Sequence, residues 1–259
     1  MVANDQHILL TTHLGSTNRG GSGSQILSSS DGTKYVVKFT TNPQGTRILA
    51  NEFVANELAR ACDLPCPRGY FAFLSQPLIP SLCAIAGPHY ATELMPNLYT
   101  NPPTALMRQA TNKECFPGII VFDILTNNHD RNNGGNFLIQ TDSNGHITFV
   151  MIDHGHCFGP NWTTESLRAS RGTWCRNCFP EMVESVEDLK QFVPFESKLA
   201  SITDGEIKHL VATIPTEWNV TSQEKEELSA FLIYRKDHVR QIILNSVDIF
   251  HKLRQGGKS

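Results

Sequence analysis

NNHDRNNGGNFLIQTDSNGHITFVMID, residues 127–153, is the stretch of sequence that decides the fold. Its Asn144-Gly145 pair lies between two apolar runs, and Asn-Gly is the strongest short signal for a β-hairpin because a type I′ turn needs positive φ at both central residues. A two-residue turn at this pair would place Asn136 directly opposite Asp153, with their Cβ atoms about 5 Å apart. The pattern therefore predicts a hairpin whose open end carries an amide oxygen beside a carboxylate.

A third oxygen-bearing side chain, Asp130, lies just upstream in a loop of polar residues and glycine. A loop aspartate next to an Asn/Asp pair is typical of phosphotransfer sites, where the loop carboxylate orients or deprotonates the acceptor and the pair holds Mg²⁺. Asp, Asn and Gly are also ordinary turn residues, so the segment DRNNGGN taken alone is as consistent with a plain polar loop. The rest of the chain has to separate these two interpretations.

The composition narrows the class of protein. The chain has 259 residues, of which 40% are hydrophobic and 18% charged, enough for one large or two small domains with a core. A net charge of −3 without a long basic run argues against nucleic acid as the main partner. No apolar run is long enough for a transmembrane helix, and the N-terminus lacks the features of a signal peptide, so we expect no membrane association. Seven scattered cysteines, an odd number, indicate reduced thiols and a cytoplasmic protein.

Glycine and serine dominate residues 17–30, a stretch between two strand-like runs. The backbone N–H groups of a glycine-rich turn can close over phosphates. The spacing of a P-loop is missing, because no Gly-Lys-Ser/Thr follows. Taken alone, the stretch is therefore better explained as a flexible loop.

Lys38 lies within the apolar strand YVVKF, so it is either on an exposed edge or reaches a buried anion. Residues 48–62 have the pattern of an amphipathic helix in which Glu52 falls on the apolar stripe and needs a cationic partner. We predict that Lys38 is this partner; the alternatives for Glu52 are another base or the protein surface. A strand lysine that pairs with a helix glutamate and contacts nucleotide phosphates is typical of a kinase N-lobe.

Two further strand-like runs, residues 70–74 and 84–95, follow a proline-rich break. The second run ends at Pro96, where we place a hinge. Glu93, Leu94 and Met95 lead into this hinge, and in a kinase the backbone groups at that position bind the edge of adenine.

Helical patterns dominate the second half of the chain. Residues 114–127 read as an apolar helix containing Asp123, which we expect to brace or cap the loop of Asp130 rather than react. Gly155, two residues after Asp153, frees the backbone next to the expected metal, as the glycine of a DFG motif does. Beyond these motifs, capping boxes and periodicity indicate scaffold helices.

A zinc site is an alternative use of several of these side chains. Cys175 and Cys178 form one C-x-x-C pair, and His154, His156 and Cys157 lie upstream. A second C-x-x-C pair is missing, and the two histidines already fit the loop of the expected metal. We therefore do not expect zinc.

Together these residues resemble the HipA-like kinases, in particular the short members built from little more than the kinase core, and more distantly the phosphatidylinositol kinases. The resemblance covers nearly the whole chain and rests on the segments YVVKF, LANEFVANELARACDLPCP, FDILTNNHDRNNGGNFLI, MIDHGHCFG, IPTEW and FLIYRKD. It implies an α+β, two-lobed protein-kinase-like fold. The β-rich N-lobe would be residues 1–97 and the mainly helical C-lobe residues 98–259, with ATP bound between them.

The resemblance also implies an activity, the ATP- and Mg²⁺-dependent phosphorylation of serine or threonine in a protein substrate. Lys38 would contact the phosphates, Glu52 would hold Lys38, and Asp130 would be the catalytic base. Asn136 and Asp153 would bind Mg²⁺. The residues expected around the nucleotide, besides Lys38, are Gly20, Gly21, Ser22, Gly23, Ser24, Glu93 and Met95.

Several members of the family are bacterial toxins that phosphorylate aminoacyl-tRNA synthetases and pair with a DNA-binding antitoxin. By resemblance, the expected substrate is a translation factor or an aminoacyl-tRNA synthetase, and the expected partner is of the antitoxin type. Some members silence themselves by phosphorylating serines of the glycine-rich loop, and Ser22 and Ser24 stand at that position here.

One departure from the family pattern concerns spacing. Five residues separate Asp130 from Asn136, one more than the family usually has. Two glycines can absorb the extra residue as a bulge, and the hairpin favours Asn136, but Asn133 as the ligand and a weakened kinase stay open.

Three other functions remain as alternatives. A pseudokinase that holds nucleotide without transferring phosphate is supported by the unusual spacing. A lipid kinase is disfavoured because the sequence lacks a basic membrane-facing patch. A plain interaction protein would not bind Mg-ATP at all.

Overall fold

The computed structural model describes residues 7–17, 21–95, 98–100 and 104–250. Its strands are β1 (His7–Ser16), β2 (Gln25–Ser29), β3 (Lys34–Lys38), β4 (Gly69–Leu74), β5 (His89–Glu93), β6 (Leu98–Thr100), β7 (Phe137–Thr141) and β8 (Ile147–Met151). Its α-helices are α1 (Arg47–Ala61), α2 (Leu78–Ser81), α3 (Thr104–Arg108), α4 (Phe116–Thr126), α5 (Thr164–Ser170), α6 (Pro180–Ser185), α7 (Val193–Ser201), α8 (Asp204–Ala212) and α9 (Ser222–Leu244). Gly20 and Pro96, both named in the sequence predictions, lie outside the described residues.

The first five strands form a closed barrel in the order β1-β2-β3-β5-β4. β1 and β4 pair in parallel, and the other neighbours are antiparallel. Alternate residues of a barrel strand point inward, so Tyr35 and Val37 of β3 pack in the barrel core with Leu27 and Ala91. Lys38 lies on the opposite face of β3, as the alternation predicted, and reaches α1.

Helix α1 lies against the barrel and is buried along most of its length. Every residue from Ile48 to Ala59 is buried, polar ones included. The predicted amphipathic character is therefore wrong, because α1 is covered from two sides. Phe53, for example, contacts both Phe71 of β4 and Trp218 from the C-terminal part of the chain. A helix enclosed in this way has to satisfy its polar side chains within the protein.

The later part of the chain is mainly helical. α4 is buried at every residue and packs against α6, α7 and α9. A three-stranded antiparallel sheet in the order β6-β7-β8 accompanies these helices. This mixed arrangement, strand-rich first and mainly helical second, is the predicted one, while the boundary between residues 97 and 98 stays a prediction. None of the helices described is long and apolar enough to cross a bilayer.

The hairpin of β7 and β8 forms, but its register is one residue away from the predicted one. Phe137 pairs with Met151. Asn136 therefore lies opposite Ile152, whose N–H donates to the Asn136 carbonyl at 3.0 Å. The prediction that Asn136 lies directly opposite Asp153 is wrong.

The turn explains the difference in register. The strands are joined by residues 142–146 rather than by two residues, and Gly145 (φ 81°) has positive φ whereas Asn144 does not. The N–H of Gly145 donates to the Asp142 carbonyl at 3.1 Å, and the Asp142 carboxylate accepts from the N–H of Asn144 at 2.8 Å. In this longer loop only the glycine of the Asn-Gly pair is in the left-handed region. The same pair is therefore compatible with this loop as well as with a type I′ turn.

Candidate active site

Lys38, at the end of β3, is the centre of a buried ion-pair cluster. Its ammonium bonds to Glu52 Oε1 of α1 and lies 2.9 Å from Asp153 Oδ1. Lys38 is 8% exposed and Glu52 is 3% exposed, so both groups are removed from bulk water. The predicted pair of Lys38 and Glu52 is confirmed, and Asp153 joins it from 115 residues further along the chain. We call these three residues the lysine cluster.

Burial and attraction compete in setting the charges of the lysine cluster. Burial alone would lower the pKa of Lys38, but the attraction of Asp153 and Glu52 outweighs it and raises that pKa above its ordinary value. Burial raises the pKa of Glu52 against the opposing attraction of Lys38. Burial also disfavours the Asp153 carboxylate, but Lys38 outweighs this effect and lowers the pKa of Asp153. One ammonium thus lies between two carboxyl groups, of which Asp153 is kept ionised and is the one suited to a divalent cation.

The loop after β8 runs close to α1. The N–H of His154 donates to Glu52 Oε2 at 3.0 Å. Gly155 permits this approach, because a Cβ at that position would lie 2.8 Å from Ile48 Cγ2 and 3.4 Å from Glu52 Oε1. Asp153 itself has φ 56°, an uncommon conformation for a residue with a side chain. Gly155 is therefore required by its close contact with α1. Its own φ is not positive, so the backbone freedom that the sequence predicted is not what this position uses.

Asn51, the residue before Glu52 on α1, fixes the same loop. Its amide nitrogen donates to the carbonyls of Gly155 at 2.7 Å and Gly159 at 3.3 Å, and its oxygen accepts from the indole N–H of Trp162 at 2.7 Å. Asn51 is fully buried, and both ends of its amide are used. Sequence reasoning missed this residue, because a neutral amide on a helix carries no local signal of what it contacts.

Asp130 lies in the loop that follows α4, residues 127–132, which we call the aspartate loop. The amide nitrogen of Asn136 donates to Asp130 Oδ2 at 2.9 Å and to the Asp130 carbonyl at 2.7 Å. Asn133 also donates to Asp130 Oδ2, at 3.2 Å. The structure therefore brings Asp130 and Asn136 into direct contact and fixes one oxygen of the carboxylate with two amides.

A 3-10 turn, Gly134–Asn136, absorbs the extra residue between Asp130 and Asn136. Asn133 caps this turn, because its Oδ1 accepts from the N–H of Gly135 at 3.0 Å. The oxygen of Asn133 is thus occupied by the backbone. The oxygen of Asn136, by contrast, has no hydrogen-bond donor among the residues described, since this amide turns its nitrogen toward Asp130.

A buried ion pair supports the aspartate loop from the protein interior. Arg131 Nε lies 3.0 Å from each carboxylate oxygen of Asp123, and both side chains are fully buried. Asn128 Nδ2 donates to the same carboxylate at 3.1 Å. Burial raises the pKa of Asp123 to about 6, while the attraction of Arg131 opposes this shift. The prediction that Asp123 braces the loop is confirmed.

Arg131 also connects the aspartate loop to the lysine cluster. Its guanidinium contacts the Ile152 carbonyl at 3.5 Å and His154 Nδ1 at 3.4 Å. These two residues flank Asp153 of the lysine cluster. Burial, with the nearby charge of Arg131, lowers the pKa of His154 well below its ordinary value, so the neutral ring can accept from Arg131. The residues predicted for catalysis and for metal binding therefore form two contact sets, the lysine cluster and the pair of Asp130 and Asn136, and Arg131 lies between them.

The glycine-rich stretch lies beside the connection that follows β3. Ser22 and Ser24 are buried, and their hydroxyl oxygens are 2.9 Å apart. Ser22 and Gly23 line a cavity of about 350 Å³ with Thr41, Asn42 and other residues. Between the described residues of this stretch and the lysine cluster there is no hydrogen bond.

The predicted hinge follows β5. The Glu93 carboxylate accepts from the Tyr70 hydroxyl, and the Glu93 N–H donates to the Arg68 carbonyl at 3.2 Å. The Leu94 N–H donates to the Lys34 carbonyl at 2.8 Å. Because these N–H groups are used inside the barrel, the adenine prediction depends on the Glu93 carbonyl and on the backbone of Met95.

The side chains that suggested zinc have other contacts. All seven cysteines are free. Cys157 and Cys178 are buried, and Cys175 Sγ donates to the Asn128 carbonyl at 2.9 Å. Within the described ranges, no three His, Cys, Asp or Glu side chains are grouped so that they could hold a metal ion. The contact of Cys175 with the aspartate loop had no signal in the sequence.

Two solved structures have a similar fold. The Helicobacter pylori proinflammatory kinase CtkA is similar with a TM-score of 0.60 and 15% identity, covering 98% of this chain and 99% of that one. HipA of the Shewanella oneidensis MR-1 toxin–antitoxin system, solved with HipB and its operator DNA, is similar with a TM-score of 0.50 and 10% identity, covering 93% of this chain and 67% of that one. These similarities define the class of protein: its fold is that of protein kinases, as predicted.

The family follows from a second comparison. The model of the HipA-like kinases matches residues 13–245, and this chain belongs to the HipA-like kinase family. Membership and fold together support a phosphotransferase of the protein-kinase type. A search of the curated proteins gives no match.

Proposed function

We propose that this chain is a serine/threonine protein kinase that transfers the γ-phosphoryl group of ATP with the help of Mg²⁺. The observation that carries the proposal is the lysine cluster, in which a strand lysine is bound at once by a helix glutamate and by the aspartate that follows the hairpin. In kinase sites the glutamate holds the lysine and the aspartate holds the metal. The family match over residues 13–245 supports the same conclusion.

Asp153 and Asn136 would hold Mg²⁺. This ion is bound in phosphotransfer sites by one or two protein oxygens, with phosphates and water as its other ligands, and a carboxylate with an amide oxygen fits that requirement. Asn136 is favoured over Asn133 because the oxygen of Asn133 already caps the 3-10 turn. When bound, the ion neutralises charge on the β- and γ-phosphates.

Lys38 would exchange one partner when nucleotide binds. The Asp153 side chain is 36% exposed whereas that of Glu52 is 4% exposed. Asp153 is therefore the carboxylate that can turn toward a metal, while Glu52 keeps the ammonium in place. Lys38 then donates to the phosphates.

Asp130 would orient or deprotonate the acceptor hydroxyl. Its Oδ2 is fixed by the amides of Asn136 and Asn133, so its Oδ1 can accept from a serine or threonine hydroxyl in a defined direction. Phosphoryl transfer depends mainly on positioning and on neutralisation of charge. A carboxylate fixed in this way supports such a mechanism without a covalent enzyme intermediate.

The rest of the nucleotide would lie between an N-lobe of residues 1–97 and a C-lobe of residues 98–259. We propose that the glycine-rich loop closes over the phosphates and that the backbone of Glu93 and Met95 binds adenine. The loop residues in this proposal are Gly20, Gly21, Ser22, Gly23 and Ser24. Ser22 and Ser24 are also the proposed sites of self-phosphorylation, which requires that the loop first expose them, since both are buried.

A cytoplasmic toxin role is the biological setting that we propose. The similar HipA structure contains its partner HipB and operator DNA, and the family match supports carrying the toxin–antitoxin role over to this chain. The substrate would be a translation factor or an aminoacyl-tRNA synthetase, and the partner would be of the antitoxin type. Because the chain has a net charge of −3, contacts with DNA would be left to that partner.

A nucleotide-binding pseudokinase is the second candidate. The spacing of five residues between Asp130 and Asn136 favours it. It predicts that Mg-ATP raises the Tm of the protein without transfer of phosphate to any substrate.

The deciding experiment is incubation with labelled ATP, Mg²⁺ and a cell lysate. Wild-type protein should label serine or threonine of a lysate protein, and Asp130→Ala should not. Asp237→Ala is the matched control, because Asp237 is an exposed aspartate on α9, and it should behave as wild type. A Tm shift with Mg-ATP but no transfer by the wild type would refute the kinase in favour of the pseudokinase, and label on lipids alone would indicate a lipid kinase.

A further inference from the structure

Arg235, in the middle of α9, is a buried cation without a carboxylate. Its side chain is fully buried, and none of the ion pairs among the described residues includes it. Burial lowers the pKa of Arg235 to about 10, so the group is still charged at neutral pH. A charged guanidinium in the protein interior needs partners for its N–H groups. Arg235 finds them in the backbone carbonyls of two segments.

The first segment is the C-terminal turn of α4. Arg235 Nε donates to the carbonyls of Ile124 at 2.8 Å and Leu125 at 3.1 Å, and Nη2 also bonds to the Ile124 carbonyl. The last carbonyls of a helix lack partners within the helix and carry partial negative charge. The aspartate loop begins directly after this turn, so Arg235 fixes the point from which the loop starts.

The second segment begins at the last residue of α5. Arg235 Nη1 donates to the carbonyls of Ser170 at 2.7 Å, Arg171 at 3.0 Å and Thr173 at 2.6 Å. The chain then enters WCRNC, residues 174–178, which we call the cysteine motif. One guanidinium therefore holds both the end of α4 and the start of the cysteine motif.

The cysteine motif reaches back to the aspartate loop at three points. The Cys175 N–H donates to Asn127 Oδ1 at 3.0 Å, and Cys175 Sγ donates to the Asn128 carbonyl at 2.9 Å. The Asn132 N–H donates to Asn177 Oδ1 at 2.6 Å. These contacts hold both ends of the aspartate loop, whereas the ion pair of Arg131 with Asp123 holds the loop from the protein interior.

We propose that Asn177 is a positioning residue for phosphoryl transfer, which holds the aspartate loop through the Asn132 N–H so that Asp130 is directed at the acceptor. Arg235 anchors the cysteine motif that carries Asn177. The proposal rests on the kinase function proposed above, and it assigns to the cysteine motif a role in orienting the base.

Asn177 allows a sharp test, because its oxygen can be removed or kept. The side chain is half-buried at the surface, so its loss does not open the core. Asn177→Ala removes the acceptor, whereas Asn177→Asp keeps an oxygen at the same position. The control is Asn161→Ala, which shortens an exposed asparagine outside the cysteine motif.

The expected signature is a loss in kcat without a loss in nucleotide binding. N177A should lower kcat about tenfold and change the KM for ATP by less than about twofold, because the hydrogen bond that holds the end of the aspartate loop is lost while the lysine cluster is untouched. N177D should restore kcat to within about twofold of wild type, and N161A should match wild type. If N177A acted only through a general loss of stability, the fall in kcat of each variant would follow the fall in its Tm.

Amide hydrogen exchange provides a readout that does not need activity. The Asn132 N–H should exchange faster in N177A and at the wild-type rate in N177D, because only the first variant lacks the acceptor. Equal kcat and equal exchange in N177A and wild type would overturn the proposal, as would an N177D variant as impaired as N177A.

Failure of the kinase function itself gives a different result. If wild-type protein transfers no phosphate, the proposed function is refuted, and with it the role of Asn177 in the reaction. Exchange that still separates N177A from N177D would then show that Asn177 holds the loop for another purpose.

Discussion

Lys38 and Arg235 are both buried cations, but the chain neutralises them in opposite ways. Lys38 is bound by two carboxylates, Glu52 in the interior and the partly exposed Asp153. Arg235 is bound by the backbone carbonyls of two segments and, within the part of the chain described, by no carboxylate.

The difference indicates which of the two cations can change partners during a reaction. A partly exposed carboxylate can rotate toward a metal ion, and the lysine can then turn to phosphates. The carbonyls at the end of a helix cannot move without disturbing the helix. The surroundings of Lys38 are therefore suited to exchanging contacts, and those of Arg235 to keeping them.

The largest effect on turnover should come from removing Asp153, the partner that Lys38 can exchange. Asp153→Ala should lower kcat by about a thousandfold or more, because the main metal ligand is lost. The free energy of unfolding should change by less than about 1 kcal/mol, because the lost ion pair is partly exposed and Lys38 keeps Glu52. Turnover of labelled Mg-ATP and urea denaturation measure the two quantities. Wild-type turnover in this variant would refute the metal assignment.

Removing the permanent contacts of Arg235 should lower the stability of the fold instead. Arg235→Met leaves the carbonyls of two segments without donors and should lower the free energy of unfolding by about 3–5 kcal/mol. Arg235→Lys should lose less, because the ammonium still donates to some of them. Chemical denaturation of the two variants and the wild type measures this difference. An R235M variant as stable as wild type would show that the carbonyl contacts are unimportant.

A third buried basic group, His89, sharpens the comparison, because it is kept neutral rather than paired with a charge. Its Nδ1 accepts from the Thr40 N–H at 3.1 Å, and burial lowers the pKa of His89 to about 4. The folded-state pKa lies below the unfolded value of about 6.5. The stability that depends on neutral His89 is therefore fully present above pH 6.5 and is lost as the pH falls toward 4.

The expected loss for His89 is about 2–3 kcal/mol across that pH interval. His89→Gln keeps an acceptor for Thr40 but does not titrate there, so its stability should fall less over the same interval. Denaturation of both proteins at pH 7 and at about pH 4.5 measures the difference. An equal fall in the two proteins would exclude His89 as the cause.

The pair of Lys38 and Glu52 could be predicted from sequence because two independent periodicities converge on it. Strand alternation placed Lys38 within an apolar strand and helical spacing placed Glu52 among apolar residues, and buried opposite charges pair. The pairing holds although α1 is buried on all sides rather than on one stripe. The hairpin was predictable only in part. Asn144-Gly145 marks a reversal, but several loops contain that pair, and a change of loop shifts every opposed pair by one residue.

The remaining features could not be predicted because they depend on packing between distant segments. The burial of α1 on two sides depends on Trp218, far along the chain. Asn51 and Arg235 bind backbone carbonyls of segments distant in sequence, and every residue has a carbonyl. No residue type or spacing therefore marks the partner.

The most direct test of the central claim is a crystal structure with Mn²⁺ and a non-hydrolysable ATP analogue, in which anomalous scattering locates the metal. We expect the metal on the carboxylate of Asp153 and the amide oxygen of Asn136, with Lys38 moved from Asp153 to the phosphates and still bound to Glu52. A metal bound away from these two side chains, or a Lys38 that stays on Asp153 while nucleotide is bound, would contradict the assignment of this site to phosphoryl transfer.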